Sequence, residues 1–368
     1  SAPAVERSTT FGNPTNCSSM FARPRSFLLF ASIAVATGGF AQAQKPQYIP
    51  ALVGFYNIEN LFDTIDTPDV NDEEFTPNGS KLWNGERYFR KLDQNAKVIS
   101  EMGKELHPQG LAILGLSEVE NRAVVEDLVA TDALNGRGYK IVHDESHDRR
   151  GIDVALVYNP ALYSVYAHKS YRVHMADTSF RTRDQLLVSG LLDGDTTHVI
   201  VCHWPSRRGG EKRSEPNRKA AAELARHIVD SLLARNAQAH IMVMGDLNDD
   251  PSNPSVARFL NSTGDKKKAT GKVLYNAMYD PFMKGIGTLA WRDSWNLFDQ
   301  IILSPGLLNG TGGKYKYYGA RIFNESYLRQ RDGAFEGYPY RTFVGDSYNE
   351  GGYSDHFPVF VILVKELQ

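Results

Sequence analysis

The chain has 368 residues, 42% hydrophobic and 11% aromatic, enough for one large core or two ordinary ones and too apolar for a disordered polypeptide. Its formal net charge of −2 argues against a protein that holds bulk polyanions by charge alone. No apolar span of about 20 residues occurs, so no helix that crosses a membrane is predicted.

The one long apolar run, Phe27 to Gly39, follows Met20, Arg23 and Arg25 and leads to Ala41-Gln42-Ala43, a small-x-small cleavage pattern. Residues 20–43 are therefore predicted to be a cleavable export signal with upstream residues before it, and 44–368 a single domain, periplasmic or secreted. Arg7, Arg23 and Arg25 against Glu6 give the leader +2, so the rest of the chain carries −4 rather than −2. Cys17 falls in that leader, which leaves Cys202 without a partner for an internal disulfide. It sits in an apolar strand pattern and reads as a packed thiol.

Ala51 to Tyr56 reads as a strand running into Asn57-Ile58-Glu59-Asn60, and the polar stretch Asp63 to Asn84 as a loop. Phe89, Leu92, Ala96, Ile99, Met102 and Leu106 recur at helical spacing. Leu111 to Leu116 is a buried strand ending in Ser117-Glu118, and Val124 to Leu134 reads as helix. Ile152–Tyr158, Leu186–Leu192 and His198–Cys202 read as strands, and Asn217 to Ala234 as a second long helix. Ile241 to Met244 is a strand ending in Gly245-Asp246-Leu247-Asn248. A short helix is predicted from Asn253-Pro254, then strands at Phe298–Leu303 and Val359–Ile362.

Several of these strands end directly in carboxylates, amides or histidines. Strand ends along one rim of a sheet converge in space, and sites form there. Taken alone, Asp246-x-Asn248 is also a common loop sequence, and Asp355-His356 after Gly351-Gly352 is equally a capped turn beside a strand-edge histidine.

Seven segments nevertheless occur in one order: Asn57-Ile58-Glu59-Asn60-Leu61-Phe62, Leu116-Ser117-Glu118-Val119-Glu120-Asn121, Arg150-Gly151-Ile152-Asp153-Val154-Ala155-Leu156, His203-Trp204-Pro205-Ser206-Arg207, Gly245-Asp246-Leu247-Asn248-Asp249, Trp295 to Ser304, and Ser354-Asp355-His356. Together they resemble the endonuclease/exonuclease/phosphatase superfamily, the DNase I-like fold, and within it secreted bacterial members. The resemblance implies a four-layer α/β/β/α sandwich of two mixed β-sheets with outer helices and a metal-dependent phosphoesterase site on one rim. Periodicity alone leaves a doubly wound sheet open, although no Gly-rich phosphate fingerprint follows the first strand.

The same resemblance implies roles. Glu118, with Asn57 and Asp355, would hold Mg²⁺, with Mn²⁺ or Ca²⁺ as alternatives. Asp246 would orient or deprotonate the attacking water, and Asn248 would donate to the phosphate region. His356, oriented by Asp299, would meet the scissile phosphate as imidazolium, and His203 would stabilise the developing charge. Asp153 is expected to face the substrate, and Arg150, Arg207 and Arg341 to lend it positive potential.

Lys266-Lys267-Lys268 reads as a charged loop. Tyr315, Tyr317, Tyr318, Tyr338, Tyr340 and Tyr353 read as packing in preference to base stacking. The predicted activity is hydrolysis of a nucleic acid or other phosphodiester, with no protein partner implied. The alternatives are a sphingomyelinase-like enzyme, an inositol-phosphate phosphatase and a non-catalytic binder. No exposed apolar hairpin for a membrane stands out, the basic residues are scattered, and a binder has no need for the full set of polar positions.

Overall fold

The computed structural model describes residues 47–177, 179–310 and 313–367; the predicted export signal lies outside them. In strand β1 (Tyr48–Leu61), Ala51, Val53 and Phe55 belong to one buried cluster while Leu52, Tyr56 and Ile58 belong to another. Side chains alternate across a strand, so burial of both sets requires a packed layer on each face.

The chain continues through α1 (Gly85–Glu101), β2 (Ile113–Val119), α2 (Arg122–Ala130), β3 (Lys140–His143) and β4 (Asp153–Tyr158). Then come β5 (Tyr163–Tyr171), β6 (Gln185–Leu192), β7 (Asp195–His203), α3 (Glu211–Arg235), β8 (His240–Asp246), β9 (Ser262–Thr263) and β10 (Leu274–Asn276). After α4 (Tyr279–Met283) follow the hairpin β11 (Leu289–Trp291) and β12 (Ser294–Asn296), then β13 (Asp299–Leu303) and β14 (Lys316–Ile322). A second small hairpin, β15 (Phe343–Val344) with β16 (Ser347–Tyr348), precedes β17 (Val359–Glu366).

A six-stranded sheet in the order β14-β17-β1-β2-β4-β3 faces a seven-stranded sheet, β5-β6-β7-β8-β13-β10-β9. Both are mixed: β1 with β2 and β7 with β8 are parallel, while β17 with β1 and β13 with β8 are antiparallel. Three buried clusters separate four layers. Between the sheets lie Val53, Phe55, Val199, Val201, Met242, Met244, Ile301, Val359 and Val361. The opposite faces of the same strands carry Leu114, Leu116 and Phe360 against Leu92, Ala96, Val124 and Leu128 of α1 and α2. On the other side, Ile200, Cys202, Ile241 and Val243 meet Ala221, Ala225, Ile228 and Val229 of α3. This is the predicted four-layer α/β/β/α sandwich. A Cβ at Gly115 would lie 2.8 Å from the Met244 sulfur, so a glycine there lets the two sheets close up.

The predicted elements are present with shifted ends. Helix α3 begins at Glu211 rather than Asn217 and carries Pro216 within it. Its opening is secured by the buried Arg218, which donates to the Glu211 carbonyl at 3.0 Å and to the Ser214 hydroxyl at 2.7 Å. The helix predicted from Asn253 is one π-helical turn, Ser255–Phe259. Strands β3, β5 and β14 have no counterpart in the periodicity: β5 is an edge strand with many exposed residues, β14 an edge strand of mostly half-buried ones, and β3 a four-residue edge. Cys202 is fully buried, and burial pushes its thiol up to about 12, as fits a packing residue.

Tyr315 is buried in the core, Tyr317 lies against Tyr275, Tyr353 against Tyr327, and Tyr338 bonds Asp293, whereas Tyr318 is exposed. Lys266 lies over the Tyr317 ring, and Lys267 and Lys268 are exposed. Among the described residues no helix is long and apolar enough to cross a membrane.

Candidate active site

Strand register brings the polar strand ends together. Within the seven-stranded sheet His203 pairs with Asp246, and Asp246 with Asp299. Within the six-stranded sheet Asn57 pairs with Ser117, next to Glu118. At Glu118 the pairing on both sides slips, between Asn57 and Leu61 on β1 and between Ser117 and Val119 against β4. Glu118 itself has φ 63°, and Glu59 and Asn60 have φ 51°. Such a bulge re-aims a side chain, and left-handed backbone at non-glycine residues costs energy that functional sites often carry. Asn248, after β8, has φ 49° as well.

Glu118, His203, Asp246, Asn248, Asp355, His356 and Arg150 all line one cavity of about 610 Å³. The Asp246 carboxylate is buried and fixed from two sides: its Oδ1 accepts from the Asn248 backbone N–H at 2.9 Å and its Oδ2 from the Asn57 amide at 3.0 Å. The same Oδ2 stands 3.5 Å from His203 Nε2 and 3.8 Å from His356 Nε2. Burial, with Asp299 and Glu118 nearby, pushes the Asp246 carboxyl up to about 7 against the opposing pull of His356 and the Asn248 N–H.

The ring of His356 meets Asp299 Oδ2 through Nδ1 at 2.7 Å. Burial lowers its pKa, but Asp299, Asp355 and Asp246 outweigh that and hold it well above the ordinary histidine value. The imidazolium therefore directs its Nε2–H into the cavity. Ser354 fixes this segment by donating to the Asn57 carbonyl at 2.7 Å while accepting from the His356 N–H at 3.0 Å. His203 is the opposite case. Burial first, then Arg183, Arg150 and His356, push it well below the ordinary value, so it is neutral.

The donor set fits a hard divalent cation. Glu118 Oε2 accepts from the Asn60 N–H at 2.9 Å, which leaves Oε1 facing the cavity, and Asp355 is half-buried on the same wall. A few carboxylates on an open wall suit an ion that keeps its waters and takes substrate oxygens. Asn57 is placed differently from a simple ligand: its Oδ1 accepts from the Glu59 N–H at 3.0 Å and its amide holds Asp246, so it orients the carboxylate.

Asp153, Arg207 and Arg341 do not reach the cavity wall. Asp153 opens β4, buried, with its oxygens taken by His143 Nε2 at 3.1 Å and the Ser146 N–H at 2.9 Å. With Glu145, these residues bring ligand atoms within 4.8 Å of one another away from the cavity. Arg207 is turned back to hold Asp249 at 3.1 Å and Asp250 at 3.3 Å, which clamps the turn after Asp246. The guanidinium of Arg341 lies over the Phe335 ring at 5.2 Å.

Other site residues were not anticipated. Arg183, 5% exposed, donates to Asp148 Oδ2 at 3.2 Å and to the Trp204 carbonyl at 2.7 Å and lines the cavity. Lys91, fully buried, donates to the Thr342 hydroxyl at 2.6 Å and the Tyr353 carbonyl at 3.2 Å, tying α1 to the segment before His356. Arg218 holds Asp249 at 2.7 Å. A cation on the apolar stripe of a helix was the available signal for Lys91 and Arg218: Lys91 adjoins Leu92 and Ala96, and Arg218 lies a turn from Ala221 and Ala222.

Residues 52–365 match the model of the Endonuclease/Exonuclease/phosphatase family. No curated protein matches the chain. Among solved structures, an endonuclease/exonuclease/phosphatase family protein from Bacteroides thetaiotaomicron superposes with TM-score 0.53 at 18% identity, covering 88% of this chain and 100% of its own. A mannosyl-6-phosphatase of the same organism gives TM-score 0.51 at 17% identity, covering 85% of this chain and 99% of its own. TDP2 from D. rerio, complexed with a single-strand DNA product, gives TM-score 0.50 at 12% identity, covering 85% and 98%. At these identities the likeness is one of fold.

Proposed function

The chain belongs to the endonuclease/exonuclease/phosphatase family, and from that premise we propose that this metal-dependent phosphoesterase hydrolyses phosphodiester bonds, as a nuclease or phosphodiesterase, by in-line attack of a water on phosphorus. The observation that carries the reading is the meeting of Asp246, His356 and Glu118 on one cavity wall, with His356 anchored to Asp299 at 2.7 Å.

Asp246, held by Asn57 and Asn248, receives the proton of the attacking water through Oδ2, the oxygen that faces both histidines. The imidazolium of His356 donates from Nε2 to a non-bridging phosphate oxygen, and Asp299 keeps that proton in place. Neutral His203, which lines the same cavity, donates to a second such oxygen, and Arg150 and Arg183 add positive potential without leaving the wall. Glu118 and Asp355 would hold Mg²⁺, which supplies Lewis-acid neutralisation of charge developing on the phosphate. The ester P–O bond opposite the attacking water breaks as the new one forms, the leaving alkoxide takes its proton from solvent, and no covalent enzyme intermediate is called for. Residues 20–43 are read as an export signal, which would place the activity outside the cytoplasm.

The test is a substrate panel with Mg²⁺, with and without EDTA: plasmid DNA, RNA, bis-p-nitrophenyl phosphate, sphingomyelin, inositol phosphates and mannose 6-phosphate. Cleavage of the nucleic acids or the synthetic diester, abolished by EDTA, is the expected result. Inactivity on every diester, with turnover confined to the phosphomonoesters, overturns the phosphodiesterase assignment; cleavage of sphingomyelin alone keeps the diester chemistry and overturns the nuclease reading.

A further inference from the structure

Beside the catalytic cavity lies a second one, of about 270 Å³, lined by His147, Arg172, His174, Arg181 and Thr182. The two share Phe180 and Arg181. The segment that forms both, between β5 and β6, is fastened to the catalytic rim by Arg183 through Asp148 and the Trp204 carbonyl. Two cavities joined through a fixed segment are positioned to receive one ligand.

The second cavity is made for an anion. Among the described residues no carboxylate lines it, and two arginines and two histidines do. Four neighbouring arginines are engaged or half engaged: Arg183 and Arg150 with Asp148, Arg149 with the Ser179 carbonyl, Arg207 with Asp249 and Asp250; Arg208, which lines the catalytic cavity alone, has no such partner among the described residues. Arg172 and Arg181 likewise have no ion pair or hydrogen bond among the described residues. The Thr182 hydroxyl, on a residue only 4% exposed, has no hydrogen-bond partner among them either, although a buried hydroxyl ordinarily has one. Asp184, buried behind this wall, has its carboxyl pKa raised by burial and lowered by His147, Arg172 and His174, so it shares part of their charge without lining the cavity. Between the two cavities stands Phe180, 41% exposed, an aromatic face open to solvent.

We propose that this second cavity binds a second phosphate group of the substrate, adjoining the scissile phosphate, with the group that links the two phosphates lying across Phe180. The proposal rests on the phosphoesterase reading above and narrows it: the preferred substrate carries at least two phosphates, either successive diesters of a polynucleotide or a diester with a terminal phosphate. Arg172 and Arg181 pair the distal phosphate, and Thr182 donates its hydroxyl to it. A planar base or ring stacks on Phe180.

Three p-nitrophenyl esters separate the cases: thymidine 5′-(p-nitrophenyl phosphate), the same compound with a 3′-phosphate, and the same with a 3′-linked second nucleotide. On wild-type enzyme with Mg²⁺, the second or third is expected to show a KM about tenfold below that of the first, the size of one charge-assisted contact. Whichever of the two gains more identifies the distal group as terminal or internal. Arg172→Ala and His174→Ala, both at exposed positions outside the catalytic cavity, should erase that advantage and leave kcat and KM for the first compound unchanged.

Arg172→Glu should reverse the preference. Equal KM values for all three compounds in wild type, or an equal change for all three in the variants, overturns the subsite. Calorimetric titration of Asp246→Asn enzyme with thymidine 5′-phosphate and thymidine 3′,5′-bisphosphate reads the same preference without turnover. A bisphosphate preference that Arg172→Ala removes, in an enzyme that cleaves no diester, sinks the phosphodiesterase reading and leaves the subsite standing. Diester cleavage with no such preference does the reverse.

Discussion

Strands β7 and β8 run side by side and carry buried titratable groups at both ends, but the two ends behave differently. At the starting end, Asp195 accepts from the Tyr315 N–H at 2.7 Å, His198 Nδ1 bonds the Ser189 hydroxyl at 2.7 Å, and His240 is buried across from Thr197. At the finishing end, His203 and Asp246 pair in register and both side chains open on the large cavity. Residue type is alike, and burial is too except at half-buried His198. What separates the ends is convergence: the finishing end faces Glu118, Asp299, Asp355 and His356 from three other strands or their flanks, whereas the starting end closes on its own neighbours. A buried histidine or carboxylate becomes chemistry when several such groups share a cavity and shift one another.

The largest break in that contrast comes from Asp246→Asn. Loss of the base should reduce hydrolysis about a thousandfold, within the range for a general base, while the far-UV circular dichroism spectrum is retained. Thermal stability should hold or rise, because burial already disfavours the ionised carboxyl. At the starting end, Asp195→Asn should do the converse. It should lower the melting temperature through the weakened Tyr315 contact and leave turnover unchanged. If Asp195→Asn cost as much activity as Asp246→Asn, the two ends would not be functionally distinct.

Metal dependence sharpens the same division. EDTA should abolish turnover and added Mg²⁺ restore it, and Glu118→Gln should raise the Mg²⁺ concentration for half-maximal rate. A smaller effect is expected from Asp299→Asn, which leaves His356 in place and removes the charge that holds it protonated. The imidazolium is the working form, so the alkaline limb of the rate profile should move to lower pH in that variant. An unmoved limb would mean that His356 does not work as an imidazolium.

Much of this architecture could be read from the sequence, for a physical reason. Fully buried strands such as β8 are near-continuous apolar runs, and a polar residue at the end of one is conspicuous, as at Glu118, His203 and Asp246. The edge strands β5 and β14 carry mixed, partly exposed residues and give no such contrast. Arg183 was hidden because it follows an irregular segment, where sequence spacing does not fix direction. Asp153 and Arg207 were misplaced for a related reason: the motif gives a residue's position on the rim, but a single χ rotation decides whether its charge faces the cavity or, as here, His143 and Asp249. Arg172 and Arg181 lie outside every motif, and only the folded chain brings them beside the site.

The smallest expected effect tests the starting end alone. Burial pushes both His198 and His240 below the ordinary histidine pKa, with Arg235 and His240 adding to the effect on His198 and Lys314 on His240, against the pull of Asp195 on the latter. A histidine whose folded pKa is depressed binds its proton more readily in the unfolded chain. Stability from the neutral form is therefore full above the unfolded value and falls as pH drops through it toward the folded one. The melting temperature should decline as pH falls below about 6.5, the ordinary histidine value, and His240→Gln should shrink that decline without touching kcat. His356 works in the opposite sense, since its folded pKa is raised: its contribution is complete at low pH and is lost as pH rises through the folded value. An acid-side decline that His240→Gln leaves intact would place the titrating group elsewhere. One that the variant removes together with activity would mean that the starting end communicates with the catalytic rim along β8, contrary to the independence of the two ends.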